Sequence, residues 1–197
     1  MIKEILHPQI HYYKNAIRNP QQIIDDLESS ESTDSPFPQI SPWKEWRSSQ
    51  KETKYGYLKG CYFNLFQNKT EADRLNAKIC GEIVYNAILV GESYSKDSQI
   101  ELGYLPEYFA INKYDTDVRM GPHMDANHGA QDKSTVSMVI YLNDDYRGGE
   151  LDFPEHGISI KPEAGSIVVF SSEGVLHDPK PTLSGTKYMI PLFFFKR

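Results

Sequence analysis

The chain has 197 residues, 39% of them apolar and 24% charged, with a net charge of -6. That length suits one domain whose core needs no metal or disulfide staple, and the acidic balance argues against a chain built to wrap nucleic acid or lie on an anionic membrane. Cys61 and Cys80 set no disulfide framework, "MIKEILHPQIHYYKN" holds no signal-like apolar run, and "YMIPLFFF" is too short to span a bilayer. A reducing, cytoplasmic setting is the expectation.

Along the chain, "NPQQIIDDLESS" predicts a helix opened by Pro20 after Asn19. A Ser- and Pro-rich loop follows over residues 29–50. Loops of that length inside a domain are usually functional. Trp43, Trp46, Tyr55 and Tyr57 lie in or near it, placed either to wall a substrate cleft or to tether the loop to the core. "KGCYFNLF" reads as a strand. "KTEADRLNAKICGEIVYNAILVGES" reads as a long helix with a capping-box pattern from Thr70. Leu75, Ile79, Ile83 and Ala87 recur every four residues, and Cys80, Val84 and Ile88 widen the stripe.

From residue 104 the pattern turns extended. "YFAINKY", "STVSMVIYLN", "GELDF", "ISIK", "SIVVFSS" and "TKYMIPLFFFKR" are each strand-length and rich in Val, Ile, Phe and Tyr. The turns between them carry Asp-Asp, Gly-Gly, His-Gly and Ala-Gly. The expected fold is α+β, mainly β: a double-stranded β-helix, or jelly roll, with N-terminal helices packed on one face. The chain reads as a single domain, with a helical and loop support region over 1–103 and a jelly-roll core over 104–197.

The chemistry centres on "RMGPHMDANHGAQ". If "PHMD" is extended, His123 and Asp125 point the same way with Cα atoms roughly 6.5–7 Å apart. An imidazole and a carboxylate so placed can share one metal. His128, His156 and His177 are the candidates for a further ligand. An H-x-D pair alone is weak evidence, but here it is followed in order by "YLND", "GGELDF", "PEAGSIVVF", His177 and Lys187.

That ordered set resembles the iron- and 2-oxoglutarate-dependent dioxygenases, most closely the prolyl 4-hydroxylase-like group, over about residues 105–192. The resemblance implies that His123, Asp125 and His177 hold Fe(II), a set that leaves three positions open. It implies 2-oxoglutarate on two of these and dioxygen on the third, with ascorbate as a reductant. It assigns Lys187 to the far carboxylate of 2-oxoglutarate, and Tyr114 and Ser137 to further contacts with that co-substrate. The implied reaction is hydroxylation of an unactivated C–H bond, on a prolyl residue in a peptide or protein, with release of succinate and carbon dioxide.

The departures lie on the substrate side. The family often has Tyr three residues before its first metal His; here it is Met120. An Arg before the "YLN" strand is replaced by Lys133 and Ser134. Trp and His after the Lys are replaced by Phe193 and Phe195. Met120, Trp43, Trp46 and Phe193 are therefore the candidate substrate contacts, and "NHGAQDKS" a candidate flap. Two alternatives stay open. One keeps the cofactors and acts on a free amino acid or small metabolite. The other is a non-catalytic, cupin-like metal-binding module, which has no need of a cation at Lys187. A zinc hydrolase lacks a recognisable general base. No nucleic-acid or membrane partner is expected.

Overall fold

A computed structural model describes residues 1–29, 44–46, 58–64, 71–106, 108–116, 120–127 and 134–196. Trp43, Tyr55, Tyr57, Thr70, His128 and Lys133 lie outside the described residues, as do the side chains of Trp46, Cys61, Leu75 and Cys80.

The frame is an eight-stranded antiparallel sheet in the order β1-β2-β10-β6-β13-β5-β4-β3. Its strands are β1 (Ile2–His7), β2 (Ile10–Lys14), β3 (Lys44–Trp46), β4 (Leu58–Asn64), β5 (Tyr108–Tyr114), β6 (Ser134–Tyr141), β10 (Ile167–Ser171) and β13 (Lys187–Phe195). A three-stranded sheet, β11-β8-β9, is built from β8 (Leu151–Phe153), β9 (Ile158–Ile160) and β11 (Asp178–Pro179). A two-stranded one pairs β7 (Arg147–Gly148) with β12 (Thr182–Ser184). Helices α1 (Pro20–Ser29) and α2 (Glu71–Ser98) complete the structure.

Alternation along β6 and β13 sorts two cores to opposite faces of the main sheet. Val136, Met138 and Ile140, with Tyr188, Ile190, Leu192 and Phe194, join Ile23 and Leu27 of α1 and Ile83, Ala87 and Val90 of α2. On the other face Val139, Tyr141, Met189 and Tyr114 join Leu151, Phe153 and Ile160 of the small sheet. Every described residue of β6 is buried because the sheet is covered on both sides. That is why this strand reads as a nearly unbroken apolar run.

Three expectations need correction. The support region 1–103 holds more strand than the one expected at "KGCYFNLF" (β4): it also contributes β1, β2 and β3, so that it supplies both edges of the main sheet. β1 hides from composition because four of its six residues are exposed and none is buried. Second, the loop 29–50 contains the short strand β3, paired to β4. Third, Ile88 does not widen the buried stripe of α2; it is 39% exposed. The buried row runs Ile79, Ile83, Ala87, Val90, Tyr94, following the 3.6-residue turn rather than strict steps of four.

Candidate metal and co-substrate site

His123 and His177 form an isolated antiparallel bridge. His123 N donates to His177 O at 2.9 Å, and His177 N donates to His123 O at 3.0 Å. Residues directly opposite in such a bridge project to the same side, so the two imidazoles meet, with ring centroids 4.2 Å apart. Asp125 does not continue an extended run from His123. It opens a 3-10 turn, Asp125–Asn127, tied down where Ala126 N donates to Ser172 O at 3.2 Å. The turn brings the Asp125 carboxylate 3.4 Å from His123 Nε2 and 3.7 Å from His177 Nε2. The donor atoms of all three residues lie within 4.8 Å of one another.

The backbone selects the tautomers. Gly121 O accepts from His123 Nδ1–H at 2.8 Å, and Val175 O lies 3.4 Å from His177 Nδ1. With protons on Nδ1, both Nε2 lone pairs face the Asp125 carboxylate. Three acceptors so arranged repel unless a cation or proton sits among them. Burial opposes a charge on His123, but hydrogen bonds to Asp125 and Gly121 outweigh it and raise its pKa. Burial likewise opposes the Asp125 carboxylate, yet the hydrogen bond from His123 and the charge of His177 pull its pKa down. His177 is driven to about 4 by burial, which the nearby Asp125 offsets only in part. Neutral imidazole, carboxylate and a shielded position are what a divalent transition metal requires. Phe170 and Phe153 pack against His177 at 4.7 and 6.3 Å between ring centroids, closing that side to water.

Ser137, expected at the co-substrate, lies beside the carboxylate ligand. Its Oγ is 2.8 Å from Ser172 Oγ, and it lies close enough to Asp125 to help hold the carboxylate's pKa down. Lys187 and Tyr114 are direct register partners between β13 and β5. Lys187 is 2% exposed, and its Nζ stands 4.7 Å from the Tyr114 ring centroid. It has no carboxylate partner among the described residues. Burial pushes its pKa down to about 8, reinforced by the charge of Lys161 and opposed by Glu150.

The other candidates fall elsewhere. Met120 is half-buried against the core between the sheets. Phe193 sits opposite Ser137 across the β13–β6 pairing, on the same side of β13 as Lys187 by alternation. His156 stacks on His7 with centroids 4.1 Å apart and takes no part in the His–Asp–His group. Among the described residues no helix is long and apolar enough to cross a membrane. Ser172 and Tyr146, which the sequence did not single out, also border this interior; a Ser after an apolar strand and a Tyr in a turn carry no signal by themselves.

Residues 109–195 match the 2OG-Fe(II) oxygenase superfamily. No curated protein is significantly similar in sequence. Among solved structures, a Pseudomonas putida prolyl-4-hydroxylase superposes with a TM-score of 0.67 at 16% identity, over 96% of this chain and 93% of that one. A Trichoplax adhaerens prolyl hydroxylase, in complex with a hypoxia inducible factor peptide fragment, gives 0.70 at 13% identity, over 96% and 84%. The viral collagen prolyl hydroxylase of Paramecium Bursaria Chlorella virus-1 gives 0.64 at 14% identity, over 94% of each chain. At these identities the likeness is one of fold. The sequence match runs from β5 to the end of β13 and so takes in the converging His–Asp–His donors; over that span the chain is similar to the 2OG-Fe(II) oxygenase superfamily, and it is a 2-oxoglutarate-dependent dioxygenase using Fe(II) and dioxygen.

Proposed function

We propose that the protein hydroxylates a prolyl residue of a peptide or protein, converting 2-oxoglutarate to succinate and carbon dioxide. The reading rests on one observation. A buried cation at Lys187, with no carboxylate partner among the described residues, shares an interior with three acceptors that converge on one point. Such an interior is costly when empty and is relieved by a cation at the triad and a dicarboxylate beside it.

In this reading His123 Nε2, His177 Nε2 and the Asp125 carboxylate hold Fe(II). When bound, the iron with 2-oxoglutarate and dioxygen supplies the oxidising power for an unactivated C–H bond. The chain supplies placement. Lys187 pairs with the distal carboxylate of 2-oxoglutarate, and Tyr114 packs under that ammonium. Ser137 fixes the Asp125 carboxylate. Phe153 and Phe170 keep the His177 side dry, which strengthens each charge interaction within. Met120 and Phe193 present apolar surface to the substrate where relatives use polar or larger aromatic groups, so the bound peptide is held by apolar contact around its proline.

The prolyl assignment draws support from the fold it shares with prolyl hydroxylases, one of them in complex with a peptide. The test is substrate-stimulated succinate release with Fe(II), 2-oxoglutarate and ascorbate, comparing proline-rich peptides with free amino acids. Stimulation by peptides, with hydroxyproline in the product, is the expected result. Stimulation by a free amino acid alone would overturn the peptide substrate while leaving the reaction class intact.

A further inference from the structure

The strand that follows His177 is short. β11 has two residues, Asp178 and Pro179. Pro179 has no N–H to give its neighbour Leu151 across the ladder. The next backbone bond is Lys180 N to Glu150 O at 2.8 Å. The register Asp178↔Asp152 and Pro179↔Leu151 sorts the side chains to two faces. One residue back, His177 stands opposite Phe153, with ring centroids 6.3 Å apart. That face looks onto the His–Asp–His group. The other face carries Asp178 and Asp152, directly opposed.

Two carboxylates so placed repel. Lys180, two residues beyond Asp178, spans both. Its Nζ lies 2.6 Å from Asp178 Oδ2 and 3.2 Å from Asp152 Oδ2. Asp152 is steadied on its far side as well. Ser159, its register partner on β9, donates from Oγ to Asp152 Oδ1 at 2.6 Å. The result is a row across three strands, Ser159–Asp152–Asp178, closed by one ammonium. Asp178 is 6% exposed, so water does little to disperse its charge. Hydrogen bonds to Asp178 and then Asp152 raise the pKa of Lys180, which stays charged at neutral pH.

We propose that Lys180 is a positioning residue for the third metal ligand: by joining Asp178 to Asp152 it holds β11 on β8, and so keeps the His177 imidazole in its bridge with His123. This rests on the reading of His177 as a ligand given above. Lys180 acts through the strand, as groups outside a metal's ligand set commonly do. Without the ammonium, Asp178 and Asp152 push apart across a ladder with little backbone bonding to resist.

A plain charge effect has the opposite sign. Deleting a positive charge near a divalent cation strengthens metal binding; deleting a ligand's support weakens it. The test is Co(II) affinity of the full chain, by competition with a chelator, with the Co(II) absorption bands recorded alongside. Lys180→Met keeps the stem and loses the charge. Its Co(II) affinity should fall roughly tenfold or more, with altered bands. Lys180→Arg should match the parent. Adding Asp152→Asn to Lys180→Met removes the repulsion and should recover most of the affinity and the parent bands. Amide exchange in the metal-free protein gives a second reading. The His123 and His177 N–H groups, each bonded to the other's carbonyl, should exchange faster in Lys180→Met and slow again in the double variant. Unchanged or tighter Co(II) binding in Lys180→Met overturns the proposal. So does a loss that Asp152→Asn does not repair, which would mark a general loosening of the small sheet. His177→Ala separates the two layers. If it loses Co(II) while Lys180→Met does not, only the role of Lys180 fails. If it binds Co(II) as the parent does, the reading of His177 fails with it.

Discussion

Lys187 and Tyr114 face each other across β13 and β5, with the ammonium 4.7 Å from the phenol ring centroid and no carboxylate partner among the described residues. An aromatic face returns only part of what the ammonium loses on leaving water. With its pKa held at about 8, keeping this lysine charged in the apoprotein at pH 7 costs on the order of 3 kcal/mol. Lys187→Met should therefore raise the melting temperature of the apoprotein at pH 7. The folded pKa lies below the unfolded one, so the cost is complete below about 8 and fades as pH rises toward 10.5. Thermal melts of both proteins at pH 7 and pH 10 check this: the gap should narrow at the higher pH. A variant that melts lower at pH 7 would show that the ammonium has a partner.

The same depressed pKa makes co-substrate binding depend on pH. An incoming dicarboxylate favours the charged lysine and raises its pKa, so above about pH 8 binding must take up a proton. Apparent affinity for 2-oxoglutarate should weaken as pH climbs past 8. Calorimetry at pH 8.5 in buffers of different ionisation enthalpy should register net proton uptake, approaching one proton per ligand at higher pH. Lys187→Arg, which stays charged throughout, should show none. Equal heats in all buffers for the parent protein would remove Lys187 from the linkage.

Much of this was readable from the sequence. Strands β5, β6, β10 and β13 announce themselves because burial on both faces or regular alternation leaves dense Val, Ile and Phe runs. His123, Asp125, His177 and Lys187 were legible because their order along the chain is constrained by a fold that returns β11 beside the His123 segment. β1 was not, since an edge strand with exposed Ile2 and Ile5 lacks the pattern that burial imposes. Nor was Ser172 or Lys180. Each is a common residue whose significance lies in a neighbour far along the chain: Ser137 for one, Asp152 for the other. The 3-10 turn at Asp125 was hidden for a related reason, because its shape is set by the Ala126 N to Ser172 O bond rather than by local propensity.

The Ser172–Ser137–Asp125 chain of polar groups makes a prediction about metal affinity. Ser137 lies beside the Asp125 carboxylate and favours its charged form, and Ser172 in turn orders the Ser137 hydroxyl at 2.8 Å. Removing a group that orients a ligand typically costs about 10–100-fold in metal affinity. Ser137→Ala should weaken Co(II) or Fe(II) binding by that order, Ser172→Ala by less, and Ser137→Thr should restore it. Competition titration against a chelator measures the affinities, and the Co(II) absorption bands report whether the ligand field has changed. If Ser137→Ala binds metal as the parent does while 2-oxoglutarate affinity falls, the serine belongs to the co-substrate, as the family resemblance first implied.

The identity of the third ligand gives the sharpest contrast, because three histidines were candidates for it: His128, which lies outside the described residues, His156 and His177. His177 is bridged to His123 and buried against Phe170, whereas His156 stacks on His7 away from the triad. His177→Ala should lose nearly all Fe(II) binding, and His156→Ala should retain it. Folding and binding can be separated by linkage: metal at 100 times its dissociation constant stabilises the native state by about 2.7 kcal/mol. Parent protein and His156→Ala should therefore gain several degrees in melting temperature on adding Mn(II), a gain reversed by chelator. His177→Ala and Asp125→Ala should melt at one temperature with or without the metal. Both should fold without it, since deleting either removes one of three mutually repelling acceptors from the buried cluster. A Mn(II)-dependent shift that survives in His177→Ala but vanishes in His156→Ala would move the ligand assignment to the other histidine.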